Sequence, residues 1–185
     1  MTDPKQKLEA RISQVNQHWK DQRPYELFER LTVQPVIGEA ICALGDTIID
    51  ELTDRRRELV ALRASALREN SYMWRGHCQI ARHIGLTVTE IARVAVGPAV
   101  FEGDDAAILW AVDHVLTERR IDSATQRMLG EGGMLSVRIA AKFYDMVASV
   151  MHDAEPEPEP EPGAMPIAGL ETAARARAAY AGYTP

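Results

Sequence analysis

The chain has 185 residues, of which 46% are apolar, and its formal net charge is −6. This length suits one domain with appendages, and the apolar fraction is enough for a core. Five of the negative charges lie at Asp153 and at every second residue from there to Glu161. The rest of the chain is therefore nearly neutral, which excludes a basic surface for nucleic acid.

Sequence features also indicate the compartment. No apolar run approaches the ~18 residues that a membrane span needs. The first residues, MTDPKQKLEARISQ, lack the apolar stretch of a signal peptide. Cys42 and Cys78 form neither a CxxC pair nor a metal-ligand spacing, which is typical of free thiols in a reducing compartment. We expect a cytoplasmic protein with no membrane partner.

The first segments have the spacing of amphipathic helices. Pro24 can start a short helix, YELFERL, and Pro35 opens VIGEAICALGDTIIDEL, since proline is favoured at the first helical position. Four apolar residues recur at i, i+4, i+7 and i+11 within KQKLEARISQVNQHW: Leu8, Ile12, Val15 and Trp19.

Capping residues separate the next three helices. Thr53 is the predicted N-cap of DRRRELVALRASALREN. Asn70 precedes the segment SYMWRGHCQIARHIG, which Gly85 ends, and Thr87 with Glu90 forms a capping box for EIARVAV. The apolar face of the first of these helices comprises Leu59, Leu62, Ala66 and Leu67.

The remaining core segments are helical too. Asp104 or Asp105 can cap AAILWAVDHVLTERR, Asp122 or Ser123 can cap ATQRMLGE, and LSVRIAAKFYDMVASVMH follows as the last core helix. No segment keeps the alternation of a strand. The sequence therefore predicts an all-α fold of about eight helices.

The C-terminal part differs in composition. The run EPEPEPEPG at 155–163 alternates proline with like charges, so we expect an extended, mobile spacer. Beyond it, 170–183 is Ala-rich and forms either a short helix or disordered chain. We predict a helical domain over 1–152 and an acidic linker with a tail over 153–185, whose deletion should leave the helical signal unchanged.

One pair of residues stands out chemically. His77 lies on the same helical stripe as Met73, Ile80 and Ile84. Glu58 lies on the preceding helix, and antiparallel packing can bring it to His77. Such a pair in an apolar setting is suited to proton transfer. The alternatives are a structural histidine, and a Glu58 paired with one of the nearby arginines: Arg55, Arg57 and Arg63.

The segment RELVALRASALRENSYMWRGHCQIARHIGLTVTEIARVAVGP resembles the carboxymuconolactone decarboxylase family, which includes the alkylhydroperoxidase D-like proteins. The shared pattern is R-E-L-x-x-L-R, then Y-x-W-x-x-H, then I-A-R-x-x-G-L-T. The resemblance extends over roughly 25–152 and is most specific over 55–97. It implies an alkylhydroperoxidase D-like helical bundle and a homo-oligomer, either a trimer or a hexamer.

The peroxidase branch of that family has two cysteines between its glutamate and its histidine. Counting 12 residues from Glu58 reaches Asn70, three more reach Met73, and four more reach His77. The spacing of 19 is kept, but neither cysteine is present, and Cys78 is not at a matching position. Thiol chemistry needs such a pair, so the resemblance favours the decarboxylase branch. There, the usual run is Y-E-W-x-x-H, and Met73 replaces its carboxylate.

The remaining candidates surround the histidine in sequence. Tyr72 and Trp74 are predicted to line a pocket or to pack, and Met73 is a pocket residue one turn before His77. Arg63 and Arg82 resemble family positions and could bind a substrate carboxylate, although ion pairs within the protein are the alternative. One histidine and one glutamate are too few ligands for a metal, so no cofactor is expected.

Three functions are compatible with these features. The first is a cofactor-independent decarboxylase acting on a small organic acid or lactone, with His77 transferring a proton and Glu58 orienting it. The second uses the same proton relay for isomerisation, dehydration or cyclisation. The third is a non-catalytic ligand-binding module.

Overall fold

A computed structural model describes residues 3–18 and 26–153 of the chain. This described part contains eight α-helices, one 3-10 turn and no strand, which confirms the predicted fold class. The predicted linker from residue 154 on and the tail lie outside the described residues. The helices are α1 Pro4–His18, α2 Glu26–Thr32, α3 Pro35–Glu51, α4 Asp54–Leu67, α5 Ser71–His83, α6 Val88–Val96, α7 Gly103–Leu116 and α8 Ser123–Val150, with the 3-10 turn at Pro98–Val100.

The chain divides into two compact units, Met1–Asp50 and Glu51–Pro185. In the first unit, Arg11 of α1 donates to Glu39 of α3 at 2.9 Å. Gly38 permits close packing, because a Cβ there would lie 2.6 Å from the carbonyl oxygen of Leu31. Of the predicted stripe in α1, Leu8 is buried and Ile12 is half-buried. The side chains of Val15 and Trp19 lie outside the described part.

Helix α4 is the centre of the second unit, where it packs against α5, α6, α7 and α8. The sequence predicts one apolar face, but the structure buries every residue from Arg57 to Ala66. A helix enclosed on all sides has no wet face. The charged residues within this stretch, Arg57, Glu58 and Arg63, are therefore buried too, and each must find partners within the protein. Leu67, predicted on the apolar face, is only half-buried.

The predicted caps largely hold. The side chain of Thr53 accepts from the backbone N–H of Arg56, and that of Asn70 from Met73. Thr87 and Glu90 form the predicted capping box. Asp122 caps α8 through the backbone N–H groups of Ala124 and Thr125 at 2.8 Å.

Helix α7 departs from the sequence prediction at both ends, whereas α8 agrees with it. Glu102, rather than Asp104 or Asp105, is the N-cap of α7, and the helix ends at Leu116. Asp104 and Asp105 instead bind Arg56 and Arg55 of α4, each at 2.7 Å. The two predicted C-terminal helices correspond to the parts of α8 on either side of Gly130, whose φ of 67° and ψ of 174° are not helical and kink the element. Glycine tolerates this left-handed φ at no steric cost.

Candidate functional site

The structure brings Glu58 of α4 and His77 of α5 into contact. Nδ1 of His77 lies 2.8 Å from Oε2 of Glu58. The carboxylate side chain is 1% exposed, whereas the imidazole side chain is 17% exposed. The predicted meeting of these two residues across the α4–α5 interface is confirmed, and the pair combines a buried carboxylate with a histidine that solvent reaches.

Helix α5 is held in place at its first residue. The side-chain oxygen of Asn70 accepts from the N–H of Met73 at 2.9 Å. The amide nitrogen of the same side chain donates to the carbonyl of Ala148 at 3.0 Å and to that of Met151 at 3.2 Å. One side chain therefore caps α5 and joins it to the end of α8, which sets the position of His77 between α4 and α8.

The buried face of α5 differs from the predicted stripe. Met73 is buried as expected, but His77, Ile80 and Ile84 are only half-buried. The fully enclosed positions are Trp74, Cys78 and Ala81, each 0% exposed. His77 thus lies at the border of the buried face rather than within it, because its neighbour Cys78 points to the core about 100° further round the helix.

Arg57 supplies a second partner for the carboxylate. Its Nε donates to Oε1 of Glu58 at 3.1 Å, and its Nη1 donates to Asp54 at 2.8 Å. Each oxygen of Glu58 therefore has one partner, and burial of the charge is compensated by hydrogen bonding. Two sequence interpretations of Glu58, a partner for histidine and a partner for arginine, hold at once.

Tyr144 of α8 is a site residue that the sequence did not indicate. Its ring meets the His77 ring edge to face, with centroids 5.1 Å apart and an angle of 87° between planes. Burial raises the pKa of Tyr144 well above its usual range, and the nearby charge of Glu58 raises it further, opposed by Arg57. The phenol therefore stays neutral. Helical spacing in α8 marks Tyr144 only as a core residue, and nothing local indicates its distant partner.

Arg63 takes the second of the two roles that the sequence left open, an ion pair within the protein. It is 4% exposed, and its Nε and Nη2 donate to the two carboxylate oxygens of Asp113 at 2.5 and 2.8 Å. Its Nη1 donates to the carbonyls of Val94 and Ala95 at 3.1 and 3.0 Å. Arg63 is thus a structural arginine rather than an anchor for a substrate carboxylate, because acceptors of the protein itself occupy the guanidinium.

The other predicted binding residues differ in their exposure and in their position on α5 relative to His77. Met73 and Trp74 precede it by about one turn, but they are 3% and 0% exposed. Trp74 is therefore a packing residue, and its Nε1 has no hydrogen-bond partner among the described residues. Tyr72 is half-buried, and Arg82 is exposed. Arg82 follows His77 by five residues, which places it about 140° round the helix.

Metal and membrane features are limited in the described part of the chain. It holds no group of three or more His, Cys, Asp or Glu side chains placed to bind a metal ion. None of its helices combines the length and the apolar character that crossing a membrane requires.

Comparisons with known proteins now bear on this geometry. Residues 35–116 match the model of the carboxymuconolactone decarboxylase family. This stretch is therefore similar to that family. The matched region contains Glu58, His77 and the whole α4–α5 interface, and it is shorter than the 25–152 over which the sequence resemblance extends. No curated protein matches the chain.

A solved structure shows the same fold. It is a crystal structure of a protein of unknown function from Agrobacterium tumefaciens, named as a candidate antioxidant defence protein AhpD. The TM-score is 0.61 at 21% sequence identity, and the similarity covers 69% of this chain and 96% of that one. At this identity the likeness establishes an alkylhydroperoxidase D-like fold. The reaction has to be inferred from the residues of the site.

Proposed function

We propose that the protein is a cofactor-independent enzyme of the decarboxylase type that transfers protons through His77 and Glu58. The observation that supports this most is the 2.8 Å contact between Nδ1 of a partly exposed imidazole and a carboxylate that is 1% exposed. The family match over 35–116 adds the reaction class that the family name gives.

The proposed reaction is decarboxylation of a small organic acid or lactone. When the carbon–carbon bond to the carboxylate breaks, carbon dioxide leaves and the electron pair stays on the substrate carbon, delocalised into an adjacent carbonyl. Protonated His77 then delivers a proton to that carbon, and Glu58 stabilises the imidazolium until the transfer occurs. A positioned histidine typically accelerates such a step ~10²- to 10⁴-fold.

Thiol peroxidase chemistry, which the name of the Agrobacterium tumefaciens protein suggests for that protein, has less support here. The positions at the peroxidase spacing are Asn70, which caps α5, and Met73, which is 3% exposed. Cys78 is 0% exposed and forms no disulfide. A reactive thiol needs exposure and a second thiol, and Cys78 is fully enclosed.

The test uses the full chain with carboxymuconolactone and a panel of small 3-oxo acids in deuterium oxide. Release of carbon dioxide and incorporation of deuterium into the product are measured for the wild type, His77→Ala, Glu58→Gln and the double variant. We expect each single change to lower the rate ~10²-fold or more. The losses should not add, because both changes disable the same unit.

Stability measurements complete this experiment. If His77 is only structural, its loss destabilises the fold but leaves the rate per folded molecule near normal. Stable variants with an unchanged rate would remove both residues from the mechanism. Deuterium exchange without release of carbon dioxide would instead support an isomerase or a related enzyme that uses the same relay.

A further inference from the structure

The buried carboxylate of Glu58 has two partners, and only one of them belongs to the proposed relay. His77 faces Oε2, and Nε of Arg57 donates to Oε1. Arg57 and Glu58 are both buried, at 9% and 1% exposure. Because the two residues are neighbours on α4, the arginine reaches the carboxylate from the same helix.

The guanidinium decides which form Glu58 takes. Burial alone disfavours an ionised carboxylate, whereas an adjacent positive charge and hydrogen bonds favour it. Arg57 supplies both at Oε1, and a carboxylate held in this way also accepts a hydrogen bond at its other oxygen. The imidazole nitrogen facing it, Nδ1 of His77, must then be the donor.

We propose that Arg57 is a positioning residue. By holding Glu58 ionised, it fixes the hydrogen of neutral His77 on Nδ1 and leaves Nε2 as the atom that exchanges protons with a ligand. Free imidazole side chains prefer the hydrogen on Nε2, so the protein must impose this tautomer. The catalytic meaning of the assignment rests on the proposed function, but the tautomer itself does not.

The surroundings of the pair agree with this assignment. Among the described residues, Nε2 of His77 has no hydrogen-bond partner. Asp54 also binds Arg57, but its side chain is 66% exposed and water screens its charge. Tyr144 packs against the imidazole as a neutral phenol. Within residues 3–18 and 26–153, Arg57 is therefore the only arginine or lysine paired with Glu58.

The test is a ¹⁵N NMR measurement on the full chain labelled at histidine, with no substrate. At about pH 8.5, where an ordinary histidine is neutral, long-range proton–nitrogen spectra distinguish a protonated ring nitrogen from a bare one. The signals of His77 are identified by their loss in His77→Gln. We expect Nδ1 to be protonated and Nε2 to be bare in the wild type. A wild type with the hydrogen on Nε2 would overturn the proposal without any variant.

Arg57→Met should reverse this pattern. Without the guanidinium, Glu58 takes up a proton and donates it to Nδ1, or it holds His77 as the imidazolium. In both cases Nε2 becomes protonated. A variant that keeps bare Nε2 would show that Arg57 does not position the pair. If Arg57→Met fails to fold, Arg57→Lys tests the same point, because it keeps the charge but loses the Nε donor, and we expect a mixture of tautomers.

Arg56→Met is the matched control. It also removes one arginine from α4, but Arg56 binds the exposed Asp104 rather than Glu58. Its spectrum should equal that of the wild type, and a reversal there would attribute the effect to net charge. The result is independent of activity: a reversal in Arg57→Met together with unchanged rates in His77→Ala would retain the positioning role and reject the proposed function.

Discussion

Arg63 offers a sharp test of how the fold is held together around the site. It extends from α4 to Asp113 of α7 and to the last carbonyls of α6, with its side chain 5% exposed. Replacing it by methionine keeps an unbranched apolar side chain but removes the guanidinium and its four hydrogen bonds. Breaking a buried ion pair by removing one partner costs about 3–5 kcal/mol. We expect Arg63→Met to lose that much stability.

The carbonyls at the end of α6 explain why this loss should be large. The residue four positions after Val94 is Pro98, which has no N–H group, so the Val94 carbonyl cannot accept a helical bond. Arg63 is the donor that replaces it at 3.1 Å. The same guanidinium lies 3.2 Å from the position of a Cβ on Gly97, whose φ is 129°. The sequence Gly97-Pro98 thus ends α6 in a form that requires Arg63.

The assay is urea unfolding followed by the helical circular dichroism signal at pH 7. Arg68→Met is the matched control, because Arg68 is the C-cap residue of α4 and also forms an ion pair, with Asp145, but its side chain is 38% exposed. Exposed pairs contribute about 0–1 kcal/mol. A loss in Arg63→Met no greater than that in Arg68→Met would refute the structural role. If Arg63→Met is as stable as the wild type but loses turnover, Arg63 would instead be a residue that binds the substrate.

Two further predictions concern α5 and α6. Cys78→Ala should cost only packing, on the order of 1 kcal/mol, because the side chain is 0% exposed; full loss of activity with an intact fold would contradict this. Hydrogen bonds from the Thr87 backbone and then from Arg55 lower the pKa of Glu90 to about 2. Its stabilising effect is therefore present above the unfolded value of about 4.3 and is lost as the pH falls towards 2. Glu90→Gln should show a shallower loss of urea midpoint over that range, and an equal slope would reject the reasoning.

The parts of the fold that local chemistry determines were predictable. Thr53, Thr87 and Asp122 cap helices where the sequence indicated, because a cap is a contact between residues two or three positions apart. The meeting of Glu58 and His77 was also predictable, since a short turn between two helices makes antiparallel neighbours of them. Each of these features depends on one short stretch of the chain, a cap or the turn between two successive helices.

The features that the sequence did not show depend on distant partners. Asp104 and Asp105 are plausible caps for α7, but the arginines of α4 bind them instead. Tyr144 reaches His77 only because α8 returns across α4. The apolar spacing in α4 indicates one buried face, and it gives no sign that four other helices enclose the remaining ones.

Helix α4 contains two buried ionic groups, and the difference between them separates structure from function. Arg63 donates to two carboxylate oxygens and two carbonyls, so its hydrogen bonds end on atoms of the protein. The series of hydrogen bonds that starts at Arg57 passes through Glu58 to His77, whose side chain is 17% exposed. There the second ring nitrogen has no partner among the described residues. A group whose hydrogen bonds all end on protein atoms can only stabilise the fold. A buried carboxylate bound to a histidine whose second ring nitrogen lacks a partner among the described residues can act on a ligand through that nitrogen.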